Sequence, residues 1–166
     1  GYKFPKTMVE GIKNTHAAGI HANCTWIMAY PGEGLEDLKT TVAFIKWQEE
    51  CWTSGKVPGT LEYEVVQESV NKAMFIATAY PGTEMFKDSA VQKALSDHFG
   101  INFDRRTGHP IADSNLHRYV LDLNDATKVL YGADGRPLNF GNMAEDTFLE
   151  AREYINGDLL YKILDM

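Results

Sequence analysis

The chain is poor in the residues that build metal centres and disulfide scaffolds. It has two cysteines, Cys24 and Cys51, which form no C-x-x-C pair and share no ligand spacing with a histidine. That excludes a disulfide framework and a zinc knuckle, and points to two ordinary thiols in a reduced, cytoplasmic protein. The five histidines are scattered and show no H-E-x-x-H, so no metal ligand is expected. No stretch of about eighteen consecutive apolar residues occurs, so no membrane-spanning segment is expected. Nor does a charged-then-apolar leader open the chain. Runs of Lys and Arg never exceed two residues, Arg105-Arg106, and the formal net charge is -7. Such a surface repels a phosphate backbone, so nucleic acid is not an expected partner. The opening Gly1-Tyr2-Lys3-Phe4-Pro5 has no initiator Met and leads almost directly into a helix pattern. The expectation is a chain that begins in the middle of a fold.

What is present suits one ordinary globular domain or a piece of a larger one: 44% hydrophobic and 23% charged residues in 166. Apolar spacing at Met8, Val9, Ile12 and His16 predicts a helix from Thr7 to Ala18, with Gly19 as its stop. Residues 20–29 read as a strand, apolar at its end. A helix follows from Gly34 to about Cys51, with acids in its first turn. Residues 52–60 read as a loop. Residues 61–70 are ambiguous, since L-E-Y-E-V alternates like a strand but is diluted by Glu and Gln. Residues 72–79 read as a second strand, and a helix is expected from about Glu84 to His98. Beyond Gly100 the chain turns polar. Helix signals mix with Asn124-Asp125 between Leu116 and Tyr131, a turn is expected at 132–137, and helices at about 143–156 and 159–164.

Alternating strands and helices predict an α/β architecture: a parallel sheet covered by helices, open or closed into a barrel. Two segments stand out. Residues 26–34 read W-I-M-A-Y-P-G-E-G, and residues 75–84 read F-I-A-T-A-Y-P-G-T-E. Ala-Tyr-Pro-Gly thus closes both strands and opens both following helices. Right-handed crossovers put both corners on one rim, where α/β proteins bind ligands. The competing reading is that Pro-Gly corners are common strand exits and the tyrosines only cover a sheet edge.

K-x-x-T-M-V-E-G-I-K-N-T-H-A-A-G-I-H-A-N-C-T-W-I-M-A-Y-P-G-E, then L-E-D-L-K-T-T, then A-Y-P-G-T-E-M-F, resembles the C-terminal half of a radical S-adenosylmethionine (radical SAM) barrel. The likeness covers roughly residues 3–86 and is closest to the branch that often carries a cobalamin-binding domain. It implies a fold: a partial (βα) barrel over residues 1–99, then a mainly helical extension over 100–166. It also implies cofactors, namely S-adenosylmethionine and a 4Fe-4S cluster, with cobalamin in some members. The chemistry implied is that of a 5′-deoxyadenosyl radical acting on a small-molecule substrate. By the resemblance, Ile27, Met28 and Ala29 on one strand and Ala77, Thr78 and Ala79 on the other are the cofactor-binding positions, beside the adenine. Tyr30 and Tyr80 are substrate-side positions, each offering an aromatic face and a hydroxyl. No catalytic residue is assigned; Glu33 is a candidate acid, but a structural place in its turn or at the start of the following helix is preferred. Three positions depart from the family: Ala29 stands where glycine is usual, Gly34 where a capping threonine is usual, and Ala79 where the second corner usually has proline.

The family's C-x-x-x-C-x-x-C motif is missing, and two cysteines cannot supply three thiolates. The expected partner is therefore a missing N-terminal half of the barrel, and the chain alone is expected to be inactive and prone to associate. Two alternatives stay open. One is a non-catalytic degenerate half-barrel or binding subunit. The other is a different α/β barrel enzyme, although neither clear strand ends in a lysine, metal ligand or nucleophile.

Overall fold

The structure is a computed structural model and describes residues 1–123 and 129–166. It overturns the expected architecture. The described residues are mostly helical, and the sheet among them has two short parallel strands, β1 (Trp26–Met28) and β2 (Met74–Ile76), not the strands of a (βα) barrel. The apolar run at 20–29 was the misleading signal. Apolarity reports burial, not the length of a hydrogen-bond ladder, and only three residues of each run pair as strand. Around β1, side chains do the tying instead: Asn71 Nδ2 donates to Cys24 O (2.8 Å) and Trp26 Nε1 to Asn71 O (2.8 Å). Ile27 and Phe75, midway along the strands, are exposed, so a covering layer on both faces is not what these runs encode.

The helices are α1 (Lys6–Ala17), α2 (Leu35–Thr53), α3 (Leu61–Ser69), α4 (Glu84–Lys87), α5 (Ser89–Phe99), α6 (Ser114–Leu123) and α7 (Glu145–Asn156), followed by a 3-10 helix (Leu160–Asp165). The ambiguous stretch is α3. Thr60 caps it by accepting from the Tyr63 amide, which commits the alternating L-E-Y-E-V to helix. The single helix expected over 84–98 is two, because Asp88 accepts from the Ala90 and Val91 amides and starts α5 afresh. The 116–131 reading falls partly outside the described residues. The turn at 132–137 is present, closed by Gly135 N–H to Gly132 O (3.0 Å) and an antiparallel bridge between Tyr131 and Pro137. No described helix is long and apolar enough to cross a membrane.

The chain divides into two compact units, and both strands begin in the first and end in the second. The first unit holds residues 1–27, 34–74 and 144–166. Leu38, Val42 and Ile45 of α2 are fully buried there, with Phe148 and Ala151 of α7 and Ile163 of the 3-10 helix. At its centre Glu49, 6% exposed, accepts hydrogen bonds from Tyr161 Oη, Gln67 Nε2 (2.6 Å) and Lys72 Nζ (3.0 Å). Burial pushes the Glu49 carboxyl up, but these three bonds and the Lys72 charge outweigh it and hold the group below its ordinary value. Burial and the Glu49 bond push the Tyr161 phenol well above its own, so it stays a donor. The second unit holds residues 28–33 and 75–143. Its core gathers Met85, Phe86, Val91, Leu95, Ile101 and Tyr119, with Leu138 and Phe140 from the later segment.

Candidate functional site: the paired tyrosine-proline-glycine corners

Both corners lie in the second unit. Each is a turn with proline second and a left-handed glycine third, Gly32 at φ 91° and Gly82 at φ 89°. Each closes by the expected backbone bond: Glu33 N–H to Tyr30 O (2.9 Å) and Thr83 N–H to Tyr80 O (3.2 Å). Proline sets the first φ and glycine alone accepts the second without strain, so the repeated tetrapeptide folds twice into one shape. The strand ends are side by side, with Ala77 N–H donating to Met28 O (2.8 Å).

The two corners are held differently. In the first, Ala29 itself adopts φ 61°, a left-handed conformation that glycine takes without penalty. The Glu33 carboxylate reaches back to accept from the amides of Ala29 and Tyr30. A later segment, Phe140-Gly141-Asn142, presses on this corner: Asn142 N–H donates to Glu33 O (2.7 Å). A Cβ on Gly141 would stand 2.8 Å from Glu33 O and 3.3 Å from Ala29 Cα, so only glycine permits the approach. In the second corner Ala79 has no left-handed φ, and its carbonyl accepts from the buried Tyr119 hydroxyl (2.6 Å). Burial, and after it the neighbouring Tyr80, push the Tyr119 phenol well above its ordinary 10.0, which keeps it a donor. Thr83 takes the place of Glu33. Its hydroxyl donates to Tyr80 O (2.7 Å) and accepts from the Phe86 amide, capping α4.

The positions singled out from sequence fall into two sets. Met28, Ala29, Ala77 and Ala79 are buried, while Thr78 is half-buried and Ile27 is 56% exposed. Tyr30 (52% exposed) and Tyr80 (42%) present their rings at the surface. The accessible aromatic faces at the corners are those of the two tyrosines, and Thr83 and Glu84 are exposed beside the second. Sequence reading missed Tyr119, Gly141 and Asn142, which lie far along the chain and carry no local motif. The turn role expected of Glu33 is what its carboxylate performs.

Elsewhere the polar stretch at 104–109 is a hairpin tip. Asp104 accepts from the Thr107 amide and hydroxyl and the Arg106 amide, and these bonds, led by the Thr107 amide, hold its carboxyl below the ordinary range. Trp52 lies between His16 and His21, and Trp47 stacks on Phe44 at 5.3 Å. A cleft of about 850 Å³ lies in the first unit, bounded by residues 67–74 and 155–162. Lys72 and Tyr161, the pair that serves Glu49, are among the residues that line it. Among the described residues no three His, Cys, Asp or Glu side chains gather as a metal site. No protein-family model, curated protein or solved structure matches the chain.

Proposed function

We propose that this chain supplies the adenine-side and substrate-side corners of a radical S-adenosylmethionine protein whose 4Fe-4S cluster is held by other polypeptide. The reaction class is 5′-deoxyadenosyl-radical chemistry on a small molecule, either methyl transfer with cobalamin or another C–H functionalisation. The observation that carries the reading is Ala29. It stands where the resembled family has glycine, and its backbone takes the left-handed φ of 61° that glycine takes without strain. A side chain has changed while an unfavourable backbone geometry stays in place, and such strain is kept where the geometry has a use.

The cluster itself does not fit this chain, since Cys24 and Cys51 are two thiols where three are needed. The chain's own contribution is positional. The buried Met28, Ala29, Ala77 and Ala79 fix the strand ends, and the rings of Tyr30 and Tyr80 offer π-faces for a purine or a substrate. When bound, S-adenosylmethionine would supply the radical, and the corners would orient it and exclude water.

The test has two parts. Titration with S-adenosylhomocysteine, followed by amide shifts, is expected to move residues 28–30 and 78–80 and to weaken in a Tyr30→Ala, Tyr80→Ala double variant. Reading the coding sequence in frame before Gly1 is expected to reveal C-x-x-x-C-x-x-C. A start codon just before Gly1, with no such motif and no shift at either corner, would leave a non-catalytic binding protein in its place.

A further inference from the structure

We propose that the outward face of α3 docks a basic amphipathic helix of another polypeptide. The inference stands apart from the S-adenosylmethionine reading, because it rests on the first unit alone. α3 packs one side on α2 and leaves the other open. Tyr63, Val66 and Gln67, at helical spacing, are half-buried on the inner side, where Gln67 Nε2 donates to Glu49 of α2 (2.6 Å). Leu61, Glu64, Val65 and Glu68 fall at i, i+3, i+4 and i+7 and are all exposed, Leu61 at 76% and Val65 at 57%. A surface helix ordinarily turns its apolar stripe to the core, and here two large apolar side chains point away from it. Val57, also exposed, precedes them in the turn that Thr60 closes by donating its amide (3.2 Å) and hydroxyl (2.7 Å) to Val57 O.

Charge selects the occupant. α3 carries Glu62, Glu64 and Glu68 and no Lys or Arg. Lys56 pairs with Glu62 (2.6 Å), while among the described residues no cation forms an ion pair with Glu64 or Glu68. Acids outnumber Lys and Arg in the first unit as they do in the chain, so the helix and its surroundings share one sign. A second copy would bring the same acids against these and is repelled, and so is an anionic lipid surface. A helix with apolar residues four apart and Lys or Arg between them suits both parts of the face. Its apolar residues cover Leu61 and Val65, and its cations reach Glu64 and Glu68. The apolar patch is small, so the expected complex is transient. The missing half expected from the resemblance would continue the sheet at the free edge of β1, whereas α3 leads into β2, on the other side.

The probe is an acetylated, amidated peptide, K-L-A-K-K-L-A-K-K-L-A-K-K-L, titrated into the full chain with amide shifts and sedimentation as readouts. Saturable binding with shifts centred on residues 61–68 is expected. A shuffled peptide of the same composition, with no leucines four apart, is expected to bind at least about tenfold more weakly. Leu61→Ser with Val65→Ser changes side chains that are already exposed, so the fold should survive while the probe loses at least about tenfold. Glu64→Lys with Glu68→Lys should weaken the probe by about as much and let its glutamate counterpart, with every Lys replaced by Glu, bind instead. Glu153→Lys, at an exposed acid of α7, should leave the probe nearly unaffected. No saturable binding, equal binding by the shuffled peptide, or shifts spread over the acidic surface overturns the proposal, because net charge alone would then account for any attraction. So does a dimer in sedimentation, or attachment to phosphatidylserine vesicles, that the Leu61→Ser, Val65→Ser variant abolishes. If the coding sequence before Gly1 lengthens the chain, the longer protein should show the same shifts. Their loss there would assign the face to the chain's own other half and overturn the proposal.

Discussion

The two Ala-Tyr-Pro-Gly corners have the same four residues, the same turn and the same position after a parallel strand, yet different parts of the chain stabilise them. The first is braced from within and from one late segment: Glu33 folds back on the Ala29 and Tyr30 amides, and Gly141 lets residues 140–142 close over it. The second is braced from a helix, by the Tyr119 hydroxyl on Ala79 O, and is capped by Thr83. The first corner also carries backbone strain at Ala29, and the second carries none at Ala79. Four residues fix a turn, but the backbone on the strand side of the turn is set by what packs against it.

The contrast can be broken one corner at a time. Gly141→Ala should have the largest effect, since the new methyl meets a backbone oxygen at 2.8 Å. A loss of about 2–3 kcal/mol is expected from overpacking. Amide exchange should quicken at Tyr30 and Glu33 while Tyr80 and Thr83 stay protected. Tyr119→Phe should act on the other side. It leaves the buried Ala79 carbonyl without its donor and should cost about 1–2 kcal/mol in chemical denaturation, with exchange quickening only around the second corner. The same substitution should then have opposite signs in identical tetrapeptides. Ala29→Gly relieves left-handed strain and should stabilise by up to about 1 kcal/mol. Ala79→Gly relieves nothing and should destabilise by about 0.5–1 kcal/mol through chain entropy. Equal signs in paired melting curves would remove the distinction drawn between the corners.

The smallest expected effect is a dependence on acid that neither corner supplies. Glu49 titrates lower in the folded chain than its ordinary 4.5. Its contribution is fully present above that value and is lost as pH falls through the lowered folded value. Melting temperature against pH should show this loss, and Tyr161→Phe, which removes one of the bonds that lower the value, should flatten it.

The sequence made the turns legible because Pro-Gly states its own geometry. Most helices were also legible, because their caps and apolar spacing are local. Thr60 and Asp88 are helix-starting residues in plain sight, and weighting them as caps would have identified α3 and the break between α4 and α5. The two parallel strands were legible in position but not in length, and the barrel they suggested is not there. The runs at 20–29 and 72–79 are apolar because helices bury part of them, and nothing in a run states how many residues pair. At the site, the two tyrosines were found because they sit in the repeated motif. The left-handed Ala29 was invisible because alanine signals no such geometry. Gly141 and Tyr119 were invisible because their partners lie far along the chain.

Glu49 and Tyr161 are 112 positions apart, and their bond has a consequence for synthesis. The first unit is assembled from the beginning, middle and end of the chain. As the chain emerges, α2 with its buried acid is made early, and Gln67 and Lys72 follow soon after. The hydroxyl that completes the set arrives only with the final segment. The second unit, by contrast, has all its residues by position 143. A nascent chain can thus close its second unit first, while the first unit waits on residues 144–166. Removing even the 3-10 helix should leave a half-built core around an under-satisfied carboxylate, so a truncation that looks trivial on paper acts at the centre of the unit.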